Sequence, residues 1–280
     1  MVESYRRIRN TLRFLLANTA DFDPKAHALP FEEWLEIDRY ALALTQSLQH
    51  EMARDYDTYD LHFVVQKLQG FCSEDLGGFY LDILKDRLYT AGKDSKARRS
   101  AQNALYQILQ RLVRLMAPVL SFTAEEIWAV TAEAADTSVF SHTWDEFPAA
   151  GYSQELLDRW GNIRSVRAEV QKQLEEARVA GKIGSSLQAE VEIRASGDRL
   201  ELLRSLQDDL RFVLITSSAA VVPAAAAADE AVTVTPSAHA KCERCWHYRD
   251  DVGRDDAAHP GLCGRCVSNL YGAGEARAHA

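Results

Sequence analysis

Along residues 1–180 apolar side chains recur every three or four positions, the period of a helix with one buried face. The first such stretch, residues 2–18, puts Tyr5, Ile8, Leu12 and Leu15 on one stripe and Arg6, Arg9 and Arg13 on a parallel one. The arginine stripe reads either as a solvated, salt-bridged face or as a basic face turned to phosphate. Pro30 opens a second predicted helix, where its missing N–H costs nothing, and Glu32 and Glu33 fall in the first turn, where the helix dipole favours negative charge. Trp34, Ile37, Ala41, Leu44, Leu48 and Met52 carry its buried stripe. Residues 61–71 predict a third helix, Gly77-Gly78 an interruption, and residues 80–89 a resumption. Cys72, at the end of an apolar face, reads as a packed core thiol. Ser95 is placed to cap a helix through Leu105, Ile108, Leu112 and Leu115 that Pro118 ends or kinks. Thr123 and Glu126 have the spacing of a capping box. Ser153 is placed to cap a long helix through Leu156, Trp160, Ile163, Val170 and Leu174, with Gly181 as its stop.

After Gly184 the period changes to two. Leu187, Ala189, Val191 and Ile193 alternate with Gln188, Glu190, Glu192 and Arg194, as in a half-buried strand. A short helix is expected over residues 199–206, and further strands over 212–215 and 232–234. The alanine run after Pro223 reads as a loop insertion. The expected class is therefore mainly α: an antiparallel helix bundle over residues 1–155, a long helix and small α+β junction over 156–236, and a cysteine-rich module over 237–280.

Composition narrows the function. The chain of 280 residues is 47% hydrophobic, enough for a sizeable core. No apolar run reaches the length of a membrane span, and no signal-peptide core follows the charged start, so a cytoplasmic protein without a membrane partner is expected. The net charge is −9, and none of the three segments is a basic tail. If RNA binds, it binds through local basic faces and stacking groups rather than bulk attraction.

Four of the five cysteines form two Cys-x-x-Cys pairs near the end, Cys242/Cys245 in KCERCWHY and Cys263/Cys266 in CGRC. Two residues between paired cysteines let both sulfurs converge on one ion, and the loop from Trp246 to Leu262 is long enough to set the second knuckle opposite the first. Four thiolates complete a tetrahedral zinc site with no open position, hence a structural one. A segment of about 40 residues with few apolar groups ordinarily needs such a metal to fold. His239, His247 and His259 are not needed as ligands and are expected at the surface. No glycine-rich phosphate loop and no Gly-x-Ser-x-Gly occurs, and the Glu125/Glu126 and Glu175/Glu176 pairs occupy different helix faces, so no catalytic residue is assigned.

With those elements in view, the chain resembles the C-terminal part of bacterial isoleucyl-tRNA synthetases, class I enzymes. YRRIRNTLRFLLAN (5–18), LEIDRYAL (35–42), FYLDILKDRLY (79–89) and APVLSFTAEEIW (117–128) resemble the helical anticodon-binding domain. Valyl and leucyl relatives share that pattern; KCERCWHY and LCGRCVSNL are the specific part. The HIGH and KMSKS signatures of the catalytic domain are absent, and so is the editing domain. The resemblance implies a tRNA-binding piece of isoleucine–tRNA ligase. It would be unable to make the adenylate alone, with the isoleucine tRNA and the enzyme's catalytic domain as partners. It further implies that Arg244 and Trp246, flanking the second zinc ligand, contact the anticodon. Stacking on aromatic rings and arginine planes is how single-stranded RNA is read. Local packing of Trp246, and a solvated Arg244 beside Glu243, stay open as alternatives.

Two other classes fit parts of the chain. A protein–protein adaptor could use zinc to hold a docking surface, but would lack salt-dependent RNA binding. A related zinc knuckle occurs in formamidopyrimidine-type DNA glycosylases, which begin with a Pro-Glu pair. This chain begins Met1-Val2-Glu3, so no DNA partner is expected.

Overall fold

The computed structural model describes residues 2–131, 137–144, 147, 153–254 and 258–280. They form two compact units, one of residues 1–82 and 99–154, the other of 83–98 and 155–280.

In the first unit α1 (Val2–Thr19) buries Ile8, Leu12 and Leu15, as the stripe requires, while Tyr5 stays partly exposed and shares a hydrogen bond with Thr123. Arg9 makes a two-pronged ion pair with Glu126, at 2.6 and 2.7 Å, and Arg6 pairs with Glu3. The salt-bridged reading of the arginine stripe therefore describes Arg6 and Arg9.

Pro30 does not open an α-helix. Residues Phe31–Glu33 make a single 3-10 turn, Trp34 is extended with its indole N–H donated to Leu29 O, and α2 (Glu36–Asp57) begins later. Its start is fixed from outside the segment: the N–H of Leu35 donates to Ser100 Oγ. That hydroxyl, with Tyr80, also donates to the buried Asp38 in the first turn of α2.

Helix α3 (Leu61–Gly70) is not interrupted at Gly77-Gly78 either. Residues Phe71–Tyr80 form π-helical turns that lead into α4 (Leu81–Thr90). A π turn brings each residue against the carbonyl five positions earlier. A Cβ at Gly77 would sit 3.0 Å from Cys72 O, and one at Gly78 3.3 Å from Ser73 O. The glycines thus permit the wide turn where a break was expected. Cys72 is buried, and desolvation pushes its thiol up to about 12, as befits an inert core cysteine.

Ser95 accepts the Arg98 N–H at the start of α5 (Lys96–Met116). The expected capping box is not there. Helix α6 (Ser121–Thr131) begins before Thr123, and Glu126 is taken by Arg9.

In the second unit α7 (Gln154–Val179) buries Trp160, Ile163, Val170 and Leu174. Gly181, at φ +69°, ends it: its N–H reaches Arg178 O and that of Lys182 reaches Ala177 O, closing a Schellman motif. An alanine in that left-handed position is disfavoured, so Gly181→Ala is expected to destabilise this unit by about 1–2 kcal/mol in a denaturant titration. An unchanged midpoint would refute the assignment.

Strand β1 (Ala189–Ala195) faces Ala189, Val191, Ile193 and Ala195 inward, the alternation read from sequence, and α8 (Gly197–Ser205) follows. Residues 212–215 are not a strand. Residues 212–214 belong to α9 (Leu210–Leu214), one wholly buried turn that Ile215 ends at φ +58°. A short run buried on every side has no period to separate helix from strand. The strand is instead β2 (Ser218–Pro223), half-exposed and poor in large apolar groups, with β3 (Ala231–Pro236) on the other side of β1. β2 runs parallel to β1 and β3 antiparallel. Pro223 closes an edge strand, where a missing N–H is tolerated. Among the described residues no helix is long and apolar enough to cross a membrane.

Candidate metal centre and nucleic-acid interface

The cysteine-rich segment lies wholly in the second unit. β4 (Ala240–Lys241) and β5 (Tyr248–Arg249) pair antiparallel, and the turn between them is the first knuckle. Within it the Cys242 N–H donates to His247 O and the Trp246 N–H to Cys242 O, at 2.8 and 3.0 Å. The second knuckle opens α10 (Gly264–Tyr271), with Cys263 at its N-cap and Cys266 in its first turn. A glycine at φ +73°, Gly253, shapes the loop that joins the knuckles. A Cβ at Gly253 would fall 2.6 Å from Pro260 O, and the Glu243 N–H donates to Gly261 O at 3.0 Å.

All four cysteines are buried, with Val252 and Leu262 packed against them, and their Sγ atoms lie within 4.8 Å of one another. Cys245 and Cys263 Sγ are 3.7 Å apart. That is far beyond a disulfide bond of about 2.05 Å. It matches the edge, about 3.8 Å, of a tetrahedron with zinc–sulfur bonds of about 2.3 Å. Donors already point at two of the sulfurs, Cys263 N–H at Cys242 and the Arg244 guanidinium at Cys266. Shared hydrogen bonds among the thiols, that with Cys242 foremost, hold Cys245 well below the ordinary thiol range and push Cys266 above it. Four thiolates cannot crowd together without a cation. The cluster fits one structural zinc, with no side left open for water or substrate.

Both knuckles reach the last turn of α4. From the first, Arg244 Nη1 donates to Thr90 O at 2.5 Å and Nη2 lies 3.5 Å from Tyr89 O. From the second, Arg265 makes a two-pronged pair with Asp86 at 2.7 and 2.8 Å, and Asn269 donates to Thr90 O. Arg277 also pairs with Asp86, and Glu275 joins both arginines. Burial pushes the Asp86 carboxyl up, but the hydrogen bond and charge of Arg265, with the charges of Arg277 and His247, outweigh it and hold the group well below the usual carboxylate range. The ring of Phe212 lies under the Arg277 guanidinium at 3.5 Å and meets His247 edge-on.

Trp246 is 58% exposed and stands at φ +65°. Lys241 Nζ lies 5.5 Å from its ring centroid. The packing alternative for Trp246 therefore has no support in its surroundings. Arg244 is half-buried and hydrogen-bonded, not a freely solvated charge beside Glu243. The expectation of a surface position fails for His247, which is only 2% exposed, with Nδ1 3.2 Å from Cys245 O and its ring against Phe212. The knuckle turns that side chain inward and its neighbour Trp246 outward. His259 is half-buried, stacked on Tyr271, and His239 is exposed beside Glu190. Sequence reasoning passed over Asp86, Thr90, Arg265 and Arg277, because no local spacing ties α4 to a segment so far along the chain.

Residues 38–193 match the family model described as the anticodon-binding domain of tRNA ligase. The chain belongs to that family. Residues 241–269 match a second model, a zinc finger found in FPG and IleRS, which covers both knuckles. Over its whole length the chain is 65% identical to the isoleucine–tRNA ligase of Thiobacillus denitrificans, covering 30% of that protein. Corresponding figures are 63% identity and 29% for the ligase of Cupriavidus pinatubonensis, and 60% and 30% for that of Aromatoleum aromaticum. The chain thus spans under a third of the curated relatives it matches, in a part that includes the family's anticodon-binding domain.

Proposed function

We propose that the chain is the tRNA-recognition part of an isoleucine–tRNA ligase, binding the anticodon stem and loop of the isoleucine tRNA in the cytoplasm. The observation that carries this reading is an exposed tryptophan in a left-handed backbone conformation on the knuckle of the four-cysteine cluster. Such a conformation is costly for a bulky side chain and persists where surroundings impose it. Glycine or asparagine would fit the turn without strain. A tryptophan there is useful for its ring, which faces solvent with Lys241 beside it.

In this reading Cys242, Cys245, Cys263 and Cys266 hold zinc, whose chemistry here is structural: it fixes the backbone that presents Trp246 and Arg244. Trp246 stacks on an unpaired base, and Arg244 contributes its cation at the edge of the same surface. The chain divides into a helical part, 1–155, that cradles the stem, a junction, 156–236, and the metal module, 237–280. ATP-dependent attachment of isoleucine then belongs to the rest of the ligase. This chain alone is expected to give no isoleucine-dependent pyrophosphate exchange, and robust exchange by pure protein would reveal a catalytic site.

A gel shift with isoleucine tRNA at two salt concentrations tests the reading. Binding is expected at low salt and weaker binding at high salt, because the local basic contacts that hold RNA neutralise phosphates. Absence of binding at low salt would instead favour the adaptor.

A further inference from the structure

The two knuckles carry an arginine at the same place, Cys-Glu-Arg-Cys and Cys-Gly-Arg-Cys, and both arginines reach the last turn of α4. Arg244 caps the carbonyl end of α4 at Thr90, where the helix dipole favours a cation. Arg265 takes Asp86, four residues earlier on the same helix. Arg277 also closes on Asp86 and is itself only 1% exposed, over the Phe212 ring. None of these groups is a metal ligand. A zinc-held module of this size has a rigid interior, but its interior does not decide which way its outer face points.

We infer that Asp86 is the docking post of the metal module, a positioning residue that acts on RNA through Trp246 without touching RNA. The path is short. Asp86 holds Arg265 in the second knuckle, and Arg244, in the first, holds the next turn of the same helix. Trp246 lies two residues beyond Arg244, in a turn closed by its own N–H to Cys242 O. His247 adds a direct link: its Nδ1 stands 3.8 Å from Asp86, and it is the chain neighbour of Trp246. With both grips made, the exposed ring has one direction relative to α4. With Asp86 neutralised, Arg265 and Arg277 lose their common partner and the module is free to turn. The inference rests on the RNA-binding reading above.

The test is a double-mutant cycle on the full chain, with isoleucine tRNA as probe and zinc content measured on every sample. Asp86→Asn is expected to keep its zinc and to raise Kd severalfold, and Asp86→Glu, which restores the charge, to recover most of the loss. The decisive comparison is Trp246→Ala made in the Asp86→Asn background. If Asp86 acts through Trp246, the second substitution costs much less there than in the unaltered chain, since coupled residues are non-additive. Fully additive losses would overturn the inference, as would an unchanged Kd for Asp86→Asn. Zinc loss from Asp86→Asn that Asp86→Glu does not repair would overturn it too, because Asp86 would then build the module rather than aim it. A failure of the RNA-binding reading itself looks different: the unaltered chain and Trp246→Ala would bind the tRNA equally poorly.

Discussion

Cys242→Ser together with Cys263→Ser is expected to abolish metal binding and unfold the C-terminal module while leaving the helices of the first unit folded. The unaltered chain should carry about one zinc per molecule by elemental analysis, and the double variant close to none. The effect is large because metal binding is the module's folding free energy, about 10–16 kcal/mol in comparable zinc peptides at neutral pH. Among the described residues of the segment, the four buried cysteines form one hydrophobic cluster with Val252 and Leu262 packed against it. The first unit has its own, including Leu12, Leu15, Ile37, Met52, Leu105 and Leu112, all at most 1% exposed. Far-ultraviolet circular dichroism should therefore change little, while protease sensitivity concentrates after residue 236. Retention of a full zinc complement by the double variant would end the four-cysteine account.

Trp246→Ala is expected to weaken binding of isoleucine tRNA roughly tenfold, since losing a base–aromatic stack costs about 1–3 kcal/mol. The salt slope should hardly move, because the ring neutralises no phosphate. Zinc should be retained: the side chain is exposed and is not one of the four ligands, and its backbone N–H to Cys242 O survives the substitution. That combination separates stacking from packing. A tryptophan that served as core would lose metal affinity and RNA affinity together. Unchanged tRNA binding in a variant that keeps its zinc would remove Trp246 from the interface.

What the sequence disclosed follows the range of the interactions concerned. The stripes of α1 and α2 and the alternation in β1 arise from neighbours three, four or two residues apart, and they were legible. So were the knuckles, whose sulfurs converge through two tight turns. The first unit's misreadings come from distant partners. The second helix starts at Glu36 because Leu35 answers to Ser100, 65 positions on. The capping box of Thr123 and Glu126 dissolves because Arg9, 117 positions earlier, claims the carboxylate. The π turns at Gly77 and Gly78 use glycine to admit a carbonyl, whereas sequence habit reads paired glycines as a stop. In the second unit the apolar run of α9 drew the strand assignment away from the plainer β2. The post at Asp86 was beyond reach, its arginine partners standing 179 and 191 positions later.

The central claim is that a metal-held knuckle on this chain reads unpaired bases of an anticodon. Titrating the full chain with a synthetic anticodon stem–loop of the isoleucine tRNA, and with the same stem–loop carrying an unrelated anticodon, measures it most directly. The account predicts tighter binding of the first, and a much smaller preference in Trp246→Ala. Equal affinity for the two stem–loops in the unaltered, zinc-replete chain would contradict it.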